Sequence, residues 1–249
     1  MFKSWFLLIK FLAKKILKRL LVKDWVMARV ACMGKDAYFL TELPYQLVNI
    51  QKGRIDGILN YFNTGFHLKA IKYIIRDDIK ELIFEQSLKY SFKRRKPKFI
   101  LIDSYSELTD QKFRTTKNKV FYSNYNDINH DSEFSKHYEC YGLLDIKTAQ
   151  LEYIRFIEHY SKKYSNLPII YLNFPTSLDT REKFKKRGDE LLRISLNLSH
   201  IFKNFHALCV PKEIVKHNEN DTYPYHYNSE VYSWLAKEIK NIYDKEKNN

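Results

Sequence analysis

Several short stretches of this 249-residue chain carry residue types that could transfer an acyl group. His226 lies in a loop stiffened by Pro224, just before a segment whose apolar residues recur at helical spacing. A histidine in that position is well placed to act as a general base, and Asp221 in the same loop is a candidate partner for its ring. The alternative is an ordinary surface histidine at the start of a helix.

Two side chains are candidate nucleophiles. Cys32 follows the first apolar run of the chain, and Ser104 follows Asp103 at the end of the clearest predicted strand. A thiol or hydroxyl beside a histidine and a carboxylate is what nucleophilic catalysis requires. Both residues also have plainer interpretations, Cys32 as a small buried apolar residue and Ser104 as a helix cap or a solvated loop residue.

The elements that would position these residues alternate between apolar strands and amphipathic helices. Strands are predicted near 26–32, 99–102, 168–172 and 207–210, and helices over 146–164, 181–201 and 229–243. This alternation predicts an α/β fold with three layers, α/β/α, around a central and mostly parallel sheet. Residues 123–144 are polar and are predicted to form a loop.

In open parallel sheets, ligands bind beyond the carboxyl ends of the strands. We therefore expect the candidate catalytic residues to meet at one edge of the sheet, with substrate-binding residues beside them. The catalytic candidates are His226, Cys32, Ser104, Asp103 and Asp221, and the substrate-binding candidates are Gly34, Asp36, Asn173 and Tyr225.

The net charge of +14 is concentrated in two runs. Residues 1–23 carry +7 and residues 89–98 carry +6, neither with an acidic residue, so the rest of the chain is nearly neutral. A nucleic-acid-binding protein more often spreads its charge over a folded face, although the run at 89–98 leaves that function open as an alternative. The three cysteines are widely spaced, which argues against a disulfide framework or a zinc site and favours a reducing compartment. No motif predicts a metal or a cofactor.

Residues 1–24 are predicted to form a basic amphipathic helix, and residues 25–249 the α/β domain. The helix is typical of segments that lie in a membrane interface, and its charges interrupt any run long enough to span a bilayer. Its membrane-contacting residues would be Trp5, Phe6, Lys10, Lys14 and Lys18. This predicts a cytoplasmic protein attached to the anionic inner face of the cell membrane. The alternative is a helix that packs on its own domain or on another subunit.

Three motifs resemble those of the SGNH/GDSL hydrolase superfamily, and more narrowly an SGNH-like family of bacterial capsule and surface-polysaccharide loci. The stretches are Val30-Ala-Cys-Met-Gly-Lys-Asp36, Ile100-Leu-Ile-Asp-Ser-Tyr-Ser-Glu107 and Pro224-Tyr-His-Tyr227. In that family they correspond to a Gly-Ser-Cys-x-x-Arg-Asp block, a strand ending in Asp with a nearby Glu, and a closing Pro-Phe-His-Tyr block. The resemblance covers about residues 27–243.

The chain departs from the family at two functional positions. Ala31 stands where the superfamily has its nucleophilic serine, and Tyr223 stands where it has the aspartate that precedes the histidine. Without that serine the usual acyl-enzyme cannot form. Cys32 or Ser104 would have to replace the nucleophile, and Asp221 the acid, or the fold has lost its hydrolytic chemistry.

The resemblance implies an O-acyltransferase or esterase that acts on a surface or capsular glycan at the cytoplasmic membrane. Its partners would be a glycan or glycolipid acceptor, acetyl-CoA as a candidate acyl donor, and the anionic membrane surface. A degenerate domain that binds glycan, or that scaffolds a biosynthetic complex without catalysis, is the alternative.

Both basic runs lead into the amino ends of strands. This predicts that the amino-end edge of the sheet faces the membrane and that the site lies at the opposite edge.

Overall fold

The structure is a computed structural model that describes residues 22–59, 68–86, 95–115, 119–165, 167–219, 221 and 223–248. The strands are β1 (Trp25–Arg29), β2 (Gln46–Asn49), β3 (Ile100–Asp103), β4 (Asp110–Thr115), β5 (Val120–Asn124), β6 (Tyr138–Cys140), β7 (Ile169–Asn173) and β8 (Phe205–Cys209). The helices are α1 (Cys32–Leu40), α2 (Ile55–Ile58), α3 (Asp77–Glu85), α4 (Tyr105–Thr109), α5 (Ser132–His137), α6 (Ile146–Tyr164), α7 (Glu182–Ile201) and α8 (Ser229–Asn248).

The main sheet has five parallel strands in the order β2-β1-β3-β7-β8. This is the flavodoxin-like order, in which β2 is added on one side of β1 and the later strands β3, β7 and β8 are added on its other side. Because such crossovers are right-handed, the helices on the two sides of the reversal cover opposite faces. α1 packs against α8, and α6 packs against α7. The predicted three-layer α/β/α fold is confirmed.

The central strands are apolar because both of their faces are covered. Every residue of β1, β3 and β7 is buried. Strands covered on both faces appear in the sequence as continuous apolar runs, and this is why these three were predictable. β2 was not predicted, since Gln46–Asn49 is short and only Val48 is buried.

Helix α1 was also missed, because its first residues continue the apolar run of β1. The predicted strand over 26–32 ends at Arg29, and the helix begins at Cys32 after Ala31, whose side chain makes no capping bond. Gly34 lies in this helix where a Cβ atom would come within 2.7 Å of the Val30 Cβ. The glycine therefore allows the helix to approach the residue that follows β1, which is a packing role, and its predicted contact with substrate stays a prediction.

The predicted loop over 123–144 is wrong, because the region contains the end of β5, helix α5 and strand β6, and both strands belong to a second, antiparallel sheet. This sheet has the order β5-β4-β6 and carries α5 between β5 and β6. Its own aromatic core includes Phe113, Phe121, Phe134 and Tyr138. These rings are separated by polar residues because the strands are short and bury only some of their side chains. A sheet of that kind gives a weak sequence signal.

The second sheet is anchored at the carboxyl edge of the main sheet, where the parallel strands end. Lys52, the third residue after the end of β2, is buried and forms ion pairs with Asp110 at 3.0 Å and Asp127 at 3.3 Å. β4 itself starts directly after α4, which follows β3.

The predicted N-terminal helix and its membrane-contacting residues Trp5, Phe6, Lys10, Lys14 and Lys18 lie outside the described residues. Among the helices that the structure does describe, none is long and apolar enough to cross a membrane.

Candidate active site

Asp103 joins the carboxyl ends of the two central strands. Its Oδ2 accepts a hydrogen bond from the Ala31 amide at 2.6 Å, and its Oδ1 accepts one from the Tyr105 amide at 3.1 Å. Burial raises the pKa of Asp103 to about 7, although the Arg29 charge and the two amide bonds act in the opposite direction. Asp103 thus fixes the backbone next to Cys32 and acts as a positioning residue, with no bond to His226.

Glu107 is the centre of a buried hydrogen-bond network. In the sequence this residue stood out only as the last member of the motif over 100–107. Its Oε1 accepts hydrogen bonds from Arg29 Nη1 at 3.0 Å and the Ile55 amide at 2.7 Å, and its Oε2 accepts one from the Tyr153 hydroxyl at 2.8 Å. Arg29 also donates to the carbonyl oxygen of Asp103 at 2.7 Å. A buried ion pair with all of these partners ties β1, β3, α2 and α6 together.

Ser104 is buried and its hydroxyl oxygen accepts a hydrogen bond from the Phe174 amide at 2.9 Å. The bond holds the end of β7 against the end of β3. A hydroxyl committed to this contact inside the core is poorly placed to attack a substrate, so the structure gives Ser104 a structural role.

Replacing Ser104 by Ala is expected to lower the free energy of unfolding by about 1–3 kcal/mol, because the buried Phe174 amide would lose its acceptor. Urea denaturation followed by circular dichroism would measure the change. Thr109→Val, which removes a hydroxyl that donates to the Tyr105 carbonyl within α4, is a control with a smaller expected cost. An unchanged midpoint for Ser104→Ala would contradict the assignment.

His226 and Asp221 form a hydrogen-bonded pair between Nδ1 and Oδ2. The second carboxylate oxygen of Asp221 accepts from the Tyr223 amide at 2.8 Å, and the His226 amide donates to the Tyr223 carbonyl at 3.0 Å. The bond from His226 lowers the pKa of Asp221, which keeps the carboxylate ionised. With Nδ1–H bound to Asp221, Nε2 is the ring nitrogen that can accept a proton.

The pair is accessible to a ligand. The side chains of His226 and Asp221 are 40% and 37% exposed. Although both residues were predicted in this loop, only the structure shows that they pair.

Cys32 is the first residue of α1 and is partly buried. Burial raises the pKa of its thiol to about 11, and the nearby Asp103 and Asp36 carboxylates raise it further, while the Met33 amide at the helix start lowers it. At neutral pH the side chain is therefore a thiol, and attack on a carbonyl would need a base to remove its proton.

Tyr232 connects the cysteine with the histidine loop. Burial raises the pKa of its phenol, the hydrogen bond from the Tyr227 amide lowers it, and the charges of Cys32, Asp36 and Asp221 raise it further. The Tyr227 amide, next to His226, donates to the Tyr232 hydroxyl at 3.4 Å. Because α1 packs against α8, which carries Tyr232, the start of α1 and the segment around His226 lie at the same carboxyl edge.

Two predicted substrate-binding residues are used inside the protein. Asn173 is buried, donating through Nδ2 to the Leu208 carbonyl at 3.0 Å and accepting at Oδ1 from Ser195. Tyr225 is fully buried, and its hydroxyl donates to Asp179 at 2.5 Å. Both side chains therefore stabilise the carboxyl edge through hydrogen bonds inside the protein. Asp36 is exposed on α1 and remains next to Cys32.

Tyr223 is the exposed aromatic residue that the sequence did not single out as a ligand contact. Its hydroxyl is 2.9 Å from that of Tyr105, and its ring centroid lies 4.9 Å from that of His226. An exposed ring beside a candidate base could stack on the apolar face of a sugar. The sequence places several tyrosines within a few residues of His226, which could have indicated an aromatic ligand contact. It does not show which of these rings faces solvent.

No protein-family model matches this chain, and no curated protein matches it in sequence. The resemblance described above therefore depends on its motifs alone. Within the described ranges, no three His, Cys, Asp or Glu side chains are grouped closely enough to hold a metal ion.

Proposed function

We propose that this protein is an acyl-transfer enzyme, an O-acyltransferase or esterase, that uses Cys32 as nucleophile and His226 with Asp221 as the base. The observation that supports this most is the partly exposed His226–Asp221 pair beside the start of α1. A carboxylate that orients a histidine is the arrangement used to activate a thiol or hydroxyl.

In the proposed reaction, Nε2 of His226 takes the proton from the Cys32 thiol while the sulfur attacks the carbonyl carbon of an acyl donor. The carbon–oxygen or carbon–sulfur bond to the leaving group breaks, and His226 returns the proton to that group. Water or a glycan hydroxyl, giving its proton to His226, then attacks the thioester. The carbon–sulfur bond to Cys32 breaks, and His226 returns the proton to the thiolate. Amides in the first turn of a helix have no partner within the helix, so those at the start of α1 could stabilise the oxyanion.

The substrate class follows from the resemblance to the SGNH-like family of capsule and surface-polysaccharide loci. A glycan or glycolipid would be the acceptor and acetyl-CoA a candidate donor, at the inner face of the cell membrane. The exposed Tyr223 ring agrees with a sugar acceptor. The basic segment 1–24 supports attachment to an anionic membrane.

The acyl-enzyme itself provides the test. After incubation with p-nitrophenyl acetate, we expect peptide mass spectrometry to find an acetyl group on Cys32 that hydroxylamine removes at neutral pH. The exposed Cys209, at the end of β8, is the internal control and should stay unmodified on the same timescale. His226→Ala should prevent the modification. Acetylation of Cys209 but not Cys32 would contradict the proposal.

A non-catalytic glycan-binding domain is the second candidate. Two observations favour it: Ala31 occupies the position of the family's serine, and burial raises the pKa of Cys32 to about 11. If Cys32 is never acylated by p-nitrophenyl acetate or acetyl-CoA, while a surface polysaccharide binds and Tyr223→Ala weakens that binding, this second function is the correct one.

A further inference from the structure

The edge of the main sheet opposite the candidate site, where the parallel strands begin, is here called the amino edge. It comprises residues 22–24, 39–45, 95–98, 161–165, 167–168, 201–204 and 243–248. Side-chain contacts hold its segments together: Trp25 Nε1 donates to the Arg95 carbonyl at 3.1 Å, and Asn204 Nδ2 donates to Ser161 Oγ at 2.9 Å. His206 near the start of β8 lies 3.5 Å from Glu246 at the end of α8.

Large apolar side chains at this edge are exposed to solvent. Phe39 and Leu40, at the end of α1, are 59% and 55% exposed, and Ile201 at the end of α7 is exposed as well. Tyr38, the residue before them, is buried and packs against Phe99, so the helix turns the next two side chains outward. Single exposed apolar residues are common, but these extend from helix ends at one edge.

Basic residues occupy the same edge as these apolar side chains. The described segments of the amino edge contain nine Lys or Arg residues and four Asp or Glu residues. The last turns of α6 and α8 supply Lys162, Lys163, Lys245 and Lys247. One of the acids, Asp24, is paired with Lys98 at 2.9 Å. The edge therefore combines an excess of positive charge with protruding apolar groups.

We infer that the amino edge is a docking surface of the folded domain for an anionic phospholipid membrane. Phe39, Leu40 and Ile201 would enter the headgroup region, and the lysines would lie against lipid phosphates. Apolar insertion combined with basic residues is how interfacial proteins bind anionic lipid. The candidate active site is at the opposite edge, so docking would leave it open to solvent.

Charge complementarity decides against two other occupants. Residues 1–21 carry basic residues and no acid, so a basic edge would repel that segment, whereas an anionic membrane would attract both. A nucleic acid would also be attracted, but Leu40 and Ile201 cannot stack on bases, and Arg95 is the one arginine in the described segments of the edge. The inference extends the proposed membrane attachment from residues 1–24 to the domain and does not depend on the acyl chemistry.

Vesicle binding by the full chain tests this surface. We expect Phe39→Ser combined with Leu40→Ser to lower the partition coefficient on phosphatidylglycerol–phosphatidylcholine vesicles at least tenfold in a cosedimentation assay. Lys96→Glu combined with Lys203→Glu should lower the partition coefficient by a similar factor on these anionic vesicles. On vesicles of phosphatidylcholine alone it should have no effect. Ile75→Ser is the matched control, because Ile75 is 62% exposed but lies beside the second sheet, where its amide donates to the backbone carbonyl of Asp127. It should bind like the wild type.

Each other result would overturn the inference. Unchanged partitioning of both double variants would mean that residues outside the amino edge bind the membrane. Equal loss in Ile75→Ser would indicate a nonspecific effect of polar substitution. Binding of a DNA duplex that competes with the vesicles and is insensitive to Phe39→Ser and Leu40→Ser would identify the edge as a nucleic-acid surface. Cys32 acylation is measured separately, so failure of the proposed reaction would not be confused with failure of docking.

Discussion

Asp221→Asn is expected to reduce kcat/KM for hydrolysis of p-nitrophenyl acetate by about 10²- to 10⁴-fold, the range typical of losing an oriented general base. The carboxylate holds Nδ1–H of His226, and an amide in its place would no longer fix the tautomer that leaves Nε2 basic. The hydrogen bond from His226 lowers the pKa of Asp221. Because the pKa of Asp221 is lowered, the carboxylate is fully ionised and orients His226 at every pH above the ordinary carboxyl value of about 4. This orientation is lost only as the pH falls through the lowered pKa.

Asp36→Asn is the matched control for that measurement. Asp36 is also exposed and close to both Cys32 and Tyr232, so its removal changes the local charge by the same amount while leaving the hydrogen bond between Asp221 and His226 in place. We expect its kcat/KM to stay within about threefold of the wild type, since an exposed charge is screened by solvent and salt. Equal activity of the two variants, with both folded by circular dichroism, would show that Asp221 does not orient the base.

Glu107→Ala is expected to lower the free energy of unfolding by about 3–5 kcal/mol, the cost typical of breaking a buried ion pair by removing one partner. The side chains of Arg29 and Glu107 are 1% and 0% exposed. Burial alone would lower the pKa of Arg29, and Glu107 together with Tyr153, Asp103 and Tyr171 more than reverses this, so the guanidinium remains charged. Without Glu107 that charge would be left in the core with only carbonyl partners.

The matched control is Asp78→Asn, which breaks the ion pair with Arg76 on the surface. Both of these side chains are about 60% exposed, and such pairs typically contribute about 0–1 kcal/mol. Urea unfolding of the two variants and the wild type, followed by circular dichroism, would compare the costs directly. A similar small loss in both would mean that the buried network does not support the sheet.

The fold was predictable because burial on two faces leaves a simple trace in the sequence. β3 and β7 are continuous apolar runs that end at Asp103 and Asn173, and the alternation of strands with helices requires parallel pairing. The second sheet left no such trace, since its short strands mix polar and apolar residues. The start of α1 was hidden because strand and helix are both apolar there and no capping side chain separates them.

By itself the sequence determined the α/β class, the edge where polar residues follow the strands, and the loop that contains His226 and Asp221. Tertiary structure alone decided which of these side chains face solvent. Ser104 and Asn173 end neighbouring strands, yet both point into contacts with β7, α7 and β8, whereas His226, Asp221 and Tyr223 remain accessible. The reason is that residue type and spacing fix the position of a residue along a strand or loop, while its partners come from segments distant in the chain.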